Sequence, residues 1–258
     1  MKPHKVKQWL APGCTHQELV AGSGRICEAY KEAPDLQKKN IFTICVDEKT
    51  GMQALERNEP DLPTCIGKIA LQEVEYSRHG TQCLIANWDV VAGKCIAPTV
   101  CDTRTEVDFQ VHIEQTVEAL ADAKQIRFVV DNLNTHLSEA LVRYVASQES
   151  AKETTKENGN QIDLGQKGKH GILKNKQTRA AYLSDSTHKI CFIYTPKHCS
   201  WLNQIEIYFG ILHKKVIKRG SFISKEDLKE KVLKFIQYFN ETVAKPFQWT
   251  YGGKPCKV

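Results

Sequence analysis

The sequence predicts an α/β fold in which helices flank a mixed five-stranded sheet. Three observations support this fold class. Five apolar stretches have the length and the β-branched or aromatic content of strands. Two of them follow each other closely within residues 80–100, as in a hairpin. The later strands alternate with helical patterns, as in sheets covered by helices. The 258 residues suffice for one large domain or two small ones.

The first half of the chain is predicted to contain a helix, three strands and a second helix. Thr15 followed by Glu18 forms a capping-box pattern that begins a helix over about residues 15–32. A turn at residues 91–93 divides the hairpin. Apolar residues recur near period 3.6 in the second helix. The predicted elements are the helix at 15–32, a buried strand at 41–48 that ends on Asp47, the hairpin at 80–100 and the helix at 104–123.

The second half alternates strands with helices around a polar segment at residues 149–189. Ser138 and Ser224 are the expected N-caps of two helices, and Pro196 stops the last strand. The predicted elements are a strand at 125–131, a helix at 138–148, a short helix at 176–184, a strand at 189–195, a helix at 200–218 and a helix from 224 to about 240.

The composition excludes several classes of protein. A hydrophobic content of 41% with 26% charged residues is typical of globular proteins and not of disordered chains. No apolar run reaches the roughly 18–20 residues of a membrane helix, and the basic N-terminus lacks a signal-peptide core. We therefore expect a cytoplasmic protein. The ten cysteines form no C-x-x-C pair, so we expect buried thiols rather than zinc ligands or disulfides.

Basic residues are concentrated in two segments. Residues 164–180 contain five Lys or Arg and no acid, and a second cluster covers residues 213–219. Either segment could be an ordinary solvated face. Two such clusters beside a candidate site also favour a polyanionic partner such as DNA. The candidate DNA contacts in the first segment are Lys167, Lys169, Lys174 and Lys176.

Two of the predicted strands end on aspartates, Asp47 and Asp131. Two carboxylates that leave buried strands and converge would repel each other unless a cation lay between them. This pattern favours a divalent metal such as Mg²⁺. Glu206 is the best third acid, because Gly210 and His213 lie on the same helical stripe. The alternative for Glu206 is a partly exposed residue of an ordinary amphipathic helix.

Polar residues near these acids are further candidates. Asn132, Asn134 and His136 follow Asp131 and could orient it or contact a phosphate, or they could simply form a turn. His198 and Asn203 precede Glu206 and are candidates of the same kind. Trp201 is expected in the core, with base stacking as the alternative.

Three blocks of the sequence resemble the signature blocks of DDE-superfamily transposases, in the bacterial insertion-sequence branch related to mariner elements. They are "ICVDEKTGMQALER", "VVDNLNTH" and "YTPKHCSWLNQIEIYFGIL". The segments "YSRHGTQCLIANWDVVAGK" and "AKPFQWTYGGKP" resemble the central hairpin and the C-terminal end of the family. The resemblance covers about residue 40 to the C-terminus.

This resemblance implies a ribonuclease-H-like fold with a metal-dependent active site. Asp47, Asp131 and Glu206 match the three acids of the family, which bind two Mg²⁺ or Mn²⁺ ions. The family hydrolyses DNA at transposon ends and joins the freed 3′-hydroxyl to target DNA. The resemblance further implies that double-stranded DNA is the partner, that a homodimer forms on this DNA, and that the protein is cytoplasmic and associated with a bacterial nucleoid.

Two features depart from the family pattern. Asp131 and Glu206 are 75 residues apart, and the extra length matches residues 149–189, which we interpret as a basic insertion before the last strand. Residues 1–40 resemble only a remnant or linker of an N-terminal DNA-binding region, so residues 41–258 form the expected catalytic domain. The alternative function is a non-catalytic DNA-binding or regulatory fragment derived from a transposase. A hydrolase of small phosphoesters is disfavoured, because no Gly-rich phosphate loop is found.

Overall fold

The computed structural model describes residues 15–153 and 163–254, which form two compact units. The first unit contains the described residues up to 43, those within 123–203, and those from 248 onward. The second contains residues 44–122 and 204–247. Within the described ranges, no helix combines the length and the apolar character that crossing a membrane requires. Residues 1–14, part of the predicted insertion at 154–162, and residues 255–258 lie outside the described residues.

The central feature is a mixed five-stranded sheet with the strand order β3-β2-β1-β4-β5. The strands are β1 (Ile41–Arg57), β2 (Tyr76–Asp89), β3 (Lys94–Cys101), β4 (Gln125–Val130) and β5 (Ile190–Tyr194). The helices are α1 (His16–Gln37), α2 (Glu106–Ala119), α3 (Glu139–Glu153), α4 (Lys176–Leu183), α5 (Ile205–Leu212) and α6 (Lys225–Thr242). Strands β1, β2 and β3 pair antiparallel and β4 and β5 pair parallel. The predicted mixed five-stranded sheet flanked by helices is confirmed.

In the first unit, α1 begins at the predicted capping box. The Thr15 hydroxyl accepts the Glu18 N–H at 3.2 Å, and the Glu18 carboxylate accepts the Thr15 N–H at 2.8 Å. One stripe of α1 is buried, including Ile26 and Tyr30. The Tyr30 hydroxyl donates to the carbonyl of Leu202 at 2.7 Å. Burial along one face therefore holds α1 in this unit, where it extends to Gln37, beyond the predicted end.

In the second unit, the β2–β3 hairpin is closed by side chains that bind backbone groups. Asp89 accepts the N–H groups of Val91 and Ala92, both at 2.9 Å. The side chain of Asn240 on α6 binds both the N–H and the carbonyl of Cys95 on β3. Because β3 is an edge strand, this side chain satisfies polar groups that would otherwise lack a neighbouring strand.

An aromatic cluster forms part of the core of the second unit. Trp88 on β2 is fully buried. Its ring stacks on Phe247, with the ring centroids 4.3 Å apart, and on Tyr208 at 5.1 Å. Phe239 of α6 contacts both Trp88 and Tyr208. These contacts connect β2, α5, α6 and the segment after α6, so Trp88 is central to the packing of this unit.

The first strand is longer than predicted. The expectation that it ends on Asp47 was wrong, because β1 continues to Arg57 in register with β2 as far as Tyr76. Between Lys49 and Met52 the register shifts by one residue, and Gly51 there has a φ of 69°. An L-residue with a side chain rarely adopts this conformation. A bulge at Gly51 therefore allows the strand to continue through a sequence that resembles a strand end.

A buried histidine lies in a polar network of the second unit. His112 on α2 is fully buried, and its two ring nitrogens lie 2.8 Å from the Asn87 amide nitrogen and the Thr99 hydroxyl. The Asn87 amide also donates to Thr116 at 2.8 Å. Burial lowers the pKa of His112 to about 3. The imidazole is therefore neutral in the folded protein at physiological pH.

We expect this histidine to make the protein sensitive to acid. The unfolded chain binds a proton at His112 near pH 6.5, whereas the folded chain does so only near pH 3. The contribution of neutral His112 to the free energy of unfolding is complete above pH 6.5. It is lost as the pH falls from 6.5 towards 3, at about 1.4 kcal/mol per pH unit. Urea unfolding of wild type and His112→Gln between pH 7 and pH 4 measures it. A wild-type pH dependence equal to that of the variant would contradict the prediction.

The eight cysteines of the described ranges are free thiols. Burial raises the pKa of Cys83 and of Cys95 to about 12 and that of Cys191 to about 11. A thiol becomes a good nucleophile or metal ligand when its pKa is lowered, so these three cysteines act as small core residues.

Candidate metal centre

Asp131 follows directly on β4 in the first unit. Phe128, Val129 and Val130 are fully buried and pair with β5. The next residue, Asp131, therefore lies at the carboxyl end of β4. Oδ1 of Asp131 accepts the Leu133 N–H at 2.8 Å and lies 2.8 Å from Nδ1 of the fully buried His136. Among the described residues, no donor reaches the second carboxylate oxygen, Oδ2. One oxygen therefore fixes the side chain and the other is available for a ligand.

Opposing effects act on the charge of Asp131. Burial raises the pKa of its carboxyl group, but the hydrogen bond and charge of His136, the Leu133 N–H and the charge of Lys176 outweigh burial and lower the pKa. The carboxylate is therefore ionised at neutral pH, as a metal ligand must be. His136, predicted as a candidate orienting group, is in direct contact with Asp131.

The loop after Asp131 is held by two neighbouring segments. The Asn132 amide donates to the Thr195 carbonyl, beyond the end of β5, at 2.5 Å. Lys176, the first residue of α4, donates to the Asn132 carbonyl at 2.6 Å and to Oδ1 of Asn134 at 3.1 Å. The structure thus brings Asn132, Asn134 and Lys176 together behind the carboxylate. That position for Lys176 is one of loop support, and its role as a DNA contact stays a prediction.

Arg179 supports the same loop and was not singled out from the sequence. Its guanidinium donates to the Leu137 carbonyl at 2.6 Å and to the Leu173 carbonyl at 3.2 Å. The spacing of Lys176 and Arg179, three residues apart on a short helix, places both on one face. That spacing is the only signal in the sequence that could have paired them.

The remaining basic candidates lie in a compact turn structure before α4. Lys167, Lys169 and Lys174 are exposed. The backbone around them is ordered by a bridge between Gln166 and His170 and by the Leu173 N–H, which donates to the Leu164 carbonyl at 2.9 Å. The exposed lysines therefore project from a defined backbone.

Asp47 lies within β1 in the second unit and is largely buried. Its Oδ1 accepts the N–H of Glu48 at 2.8 Å. Side chains alternate along a strand, so Lys49 lies on the same face as Asp47. The carboxylate of Glu48 nevertheless comes within 4.8 Å of that of Asp47. Asp47 is therefore presented from the middle of a strand rather than from its end.

Glu206 lies in the first turn of α5 in the same unit as Asp47, and it is exposed. Burial lowers the pKa of Lys49, and the nearby charge of Glu206 opposes this shift. Lys49 was not identified from the sequence as a residue near the acids. Its position two residues after Asp47 in a strand, on the same face, could have indicated it. At Gly210 the space where a Cβ would lie is open, and His213 begins a π-helical turn.

The helix that carries Glu206 is shorter than predicted. It begins at Ile205 rather than at residue 200, because a 3₁₀ turn at Ser200–Leu202 is followed by an extended Asn203. Leu202 of this turn is fully buried, whereas Trp201 is 51% exposed. The Trp201 ring packs edge-on against Tyr251, with the ring centroids 5.1 Å apart. The expectation that Trp201 lies in the core was wrong, because the turn directs its neighbour inward.

The two other candidates before Glu206 differ in exposure. His198 is exposed and has a φ of 59°, in the left-handed region that residues with side chains rarely adopt. Asn203 is fully buried. His198 is thus accessible to a ligand, and Asn203 is an internal residue.

Comparisons with known proteins agree with the predicted family. The sequence profile described as "DDE superfamily endonuclease" matches residues 43–229. Comparison with the curated proteins gives no match.

Several solved structures are similar to this chain. The catalytic domain of Mos1 mariner transposase is 10% identical with a TM-score of 0.49, over 89% of this chain and 85% of that one. A pre-cleavage Mos1 transpososome is 13% identical with a TM-score of 0.48, over 92% of this chain and 60% of that one. The Mos1 catalytic domain with raltegravir and Mn is 11% identical with a TM-score of 0.47, over 88% of this chain and 85% of that one.

This chain therefore spans only 60% of the length of the transposase in the transpososome. The profile match, in contrast, covers well over half of the present chain and includes Asp47, Asp131 and Glu206. On that match, the chain belongs to the DDE superfamily endonuclease family.

Proposed function

We propose that this chain is the catalytic domain of an insertion-sequence transposase, which cleaves DNA strands and transfers them to a target in a metal-dependent reaction. The observation that carries this proposal is the family match over residues 43–229, which contains all three acids. Asp47, Asp131 and Glu206 are the proposed ligands of two Mg²⁺ or Mn²⁺ ions. β1 and β4, which carry or precede the two aspartates, are neighbours in the strand order.

The chemistry of these residues fits hard divalent cations. Mg²⁺ and Mn²⁺ prefer carboxylate oxygens, and Mg²⁺ keeps waters that substrate phosphates can replace. Asp131 offers an ionised carboxylate whose Oδ2 accepts no hydrogen bond from the described residues. Its other oxygen is held by Leu133 and His136, so a bound ion would meet a fixed ligand. The cysteines discussed above have raised pKa values and offer no competing thiolate.

The side chains around the acids would orient rather than react. Bound divalent ions would activate the attacking water or 3′-hydroxyl and neutralise charge on the phosphate. His136 holds Asp131 through its ring nitrogen, and Lys176 holds the following loop through the Asn132 carbonyl. Phosphoryl transfer depends mainly on such positioning and on charge, which explains a site without a Ser or Cys nucleophile.

Double-stranded DNA is the proposed partner, and the exposed lysines before α4 are its proposed contacts. Replacing Lys167, Lys169 and Lys174 together by Gln should weaken DNA binding and flatten its salt dependence. If each lysine neutralises one phosphate, the slope of log affinity against log salt decreases by about 2–3. Fluorescence anisotropy over a salt series measures this slope.

The matched control changes three lysines of α6. Lys231 pairs with Asp227 and Lys234 with Glu230 along the helix, so replacing these two and Lys229 by Gln removes the same total charge. We expect a smaller change of slope in the control. An equal change in both triple variants would assign the effect to net charge and not to the lysines before α4.

The assembly and the location belong to the same proposal. We infer a homodimer on DNA, because transposition joins two transposon ends, and a location in the bacterial cytoplasm at the nucleoid. Light scattering of the chain with and without DNA would test the dimer. A complex of one chain per DNA duplex under all conditions would reject it.

A nicking assay tests the proposed function. The chain is incubated with DNA that carries the terminal repeats of its element, with Mg²⁺, with Mn²⁺ or with excess EDTA. Nicking that requires the metal supports the proposal. DNA binding without nicking, even with an N-terminal DNA-binding module supplied in trans, would instead identify a non-catalytic fragment derived from a transposase.

A further inference from the structure

A cavity of about 330 Å³ lies in the first unit between α1 and the end of β5. Glu18, Gly22 and Arg25 line it from α1, and Thr195 and Lys197 line it from the segment after β5. Gly22 faces Pro196 so closely that a Cβ would lie 2.6 Å from the proline ring. α1 therefore approaches this segment through a glycine, and the cavity opens beside that close contact.

One lining residue of the cavity, Thr195, has a buried hydroxyl. Thr195 is only 2% exposed, and its Oγ1 has no hydrogen-bond partner among the described residues. Its backbone is fully engaged, because its N–H donates to the Val130 carbonyl at 2.9 Å and its carbonyl accepts the Asn132 amide. A buried hydroxyl that makes no hydrogen bond costs free energy, so this one is suited to a ligand that accepts its proton.

The charges at the rim favour an anion. Arg25 and Lys197 are exposed, and Arg25 forms no hydrogen bond or ion pair with a described residue. The only acid of the lining, Glu18, is engaged at the start of α1, where Oε2 accepts the Thr15 N–H and hydroxyl. The guanidinium is thus available for an external negative group, and the Lys197 ammonium, whose charge also helps to lower the pKa of Glu18, is exposed in the same lining.

The cavity is adjacent to the loop that carries Asp131 in the same unit. Asn132 lines it and is the residue after Asp131. The Asn132 amide, bound to the Thr195 carbonyl, fixes the distance between the cavity wall and the loop that carries Asp131. A ligand in the cavity would therefore lie beside, and not in, the proposed site of phosphoryl transfer.

We propose that this cavity binds a phosphate group of a DNA strand whose neighbouring phosphodiester lies at the metal centre. Thr195 Oγ1 donates to the phosphate, and Arg25 and Lys197 neutralise it. The inference rests on the proposed function for its ligand, and it adds a second binding point that positions the strand. Phosphate contacts carry no base sequence, so any DNA of suitable length should engage it.

Thr195→Val tests the hydroxyl with little change of shape. The variant should bind a short fluorescein-labelled DNA duplex about tenfold or more weakly, the effect of losing a hydrogen bond to a charged group. Its stability in urea should be unchanged or higher, because the free protein leaves this hydroxyl unpaired. A purely structural role predicts the opposite pattern, with stability lowered and affinity kept.

Thr43→Val is the matched control. Thr43 belongs to the same unit, is also 2% exposed, and its Oγ1 also lacks a partner among the described residues, but it lines no cavity described above. We expect wild-type DNA affinity for this variant. Arg25→Gln should in addition lower the salt slope of binding by about 0.9, the value for one phosphate contact.

The outcomes separate the cavity from the proposed function. If the wild type binds no DNA, the proposed function fails. If the wild type binds DNA and Thr195→Val binds it equally well, the cavity proposal alone fails. Inorganic phosphate, titrated calorimetrically into both proteins, tests another source of the anion. Phosphate binding that Thr195→Val abolishes, with DNA affinity unchanged, would overturn the assignment to DNA.

Discussion

Asp131→Asn should reduce metal-dependent nicking of DNA by about 100-fold or more while leaving the fold and DNA binding intact. Asparagine keeps the shape of the side chain and an oxygen that can accept the Leu133 N–H. It removes the negative charge that a divalent cation requires. The measurement is the nicking rate in Mg²⁺ and in Mn²⁺, beside DNA affinity by anisotropy.

Asp89→Asn is the matched control for this variant. Asp89 also ends a strand, and its Oδ1 accepts the N–H two residues later, as Oδ1 of Asp131 does. It lies in the β2–β3 turn and has no proposed role in the reaction. We expect near wild-type nicking from it. Full activity of Asp131→Asn would refute the metal assignment, and equal losses in both variants would point to a folding defect.

The largest expected effect on stability is that of Trp88→Ala, which should lower the free energy of unfolding by about 3–5 kcal/mol. Trp88 is fully buried and stacks on Tyr208 and Phe247 from two different parts of the chain. Removing the indole leaves a cavity that these rings cannot fill without moving. Urea unfolding followed by circular dichroism measures the change.

Two further variants define the cause. Trp201→Ala removes the same side chain from a position that is 51% exposed, and it should cost less than about 1 kcal/mol. Trp88→Phe should retain most of the stability, because the buried Nε1 of Trp88 has no hydrogen-bond partner in the described structure. A Trp88→Ala loss as small as that of Trp201→Ala would show that the aromatic cluster is not central to the core.

The parts of the fold that depend on neighbouring residues could be predicted from the sequence. Thr15, Ser138 and Ser224 each cap a helix with their hydroxyl groups, as their spacing predicted. The β2–β3 turn and the burial of β4 also follow from local patterns. In the candidate site, the sequence identified Asp131 and its partner His136 through proximity in the chain.

The parts that depend on distant residues could not be predicted. Strand β1 continues beyond Gly51 because it pairs with β2 along its length. Helix α5 begins later than predicted because the preceding 3₁₀ turn buries Leu202. The support of the Asn132 loop by Lys176 links positions 44 residues apart. The unpaired hydroxyl of Thr195 has no sequence signal at all, because its lack of a partner is decided by three-dimensional packing.

The way the chain alternates between the two units has a consequence for synthesis on the ribosome. The first unit contains segments from the beginning, the middle and the end of the chain. The Cys27 thiol of α1 donates to the Tyr251 carbonyl, 224 residues away. A nascent chain cannot form this contact until Tyr251 has left the exit tunnel. Folding of the first unit should therefore be completed only after the segment from residue 248 onward has left the tunnel, and nascent chains stalled before residue 248 should expose the face of α1 that Trp249 covers.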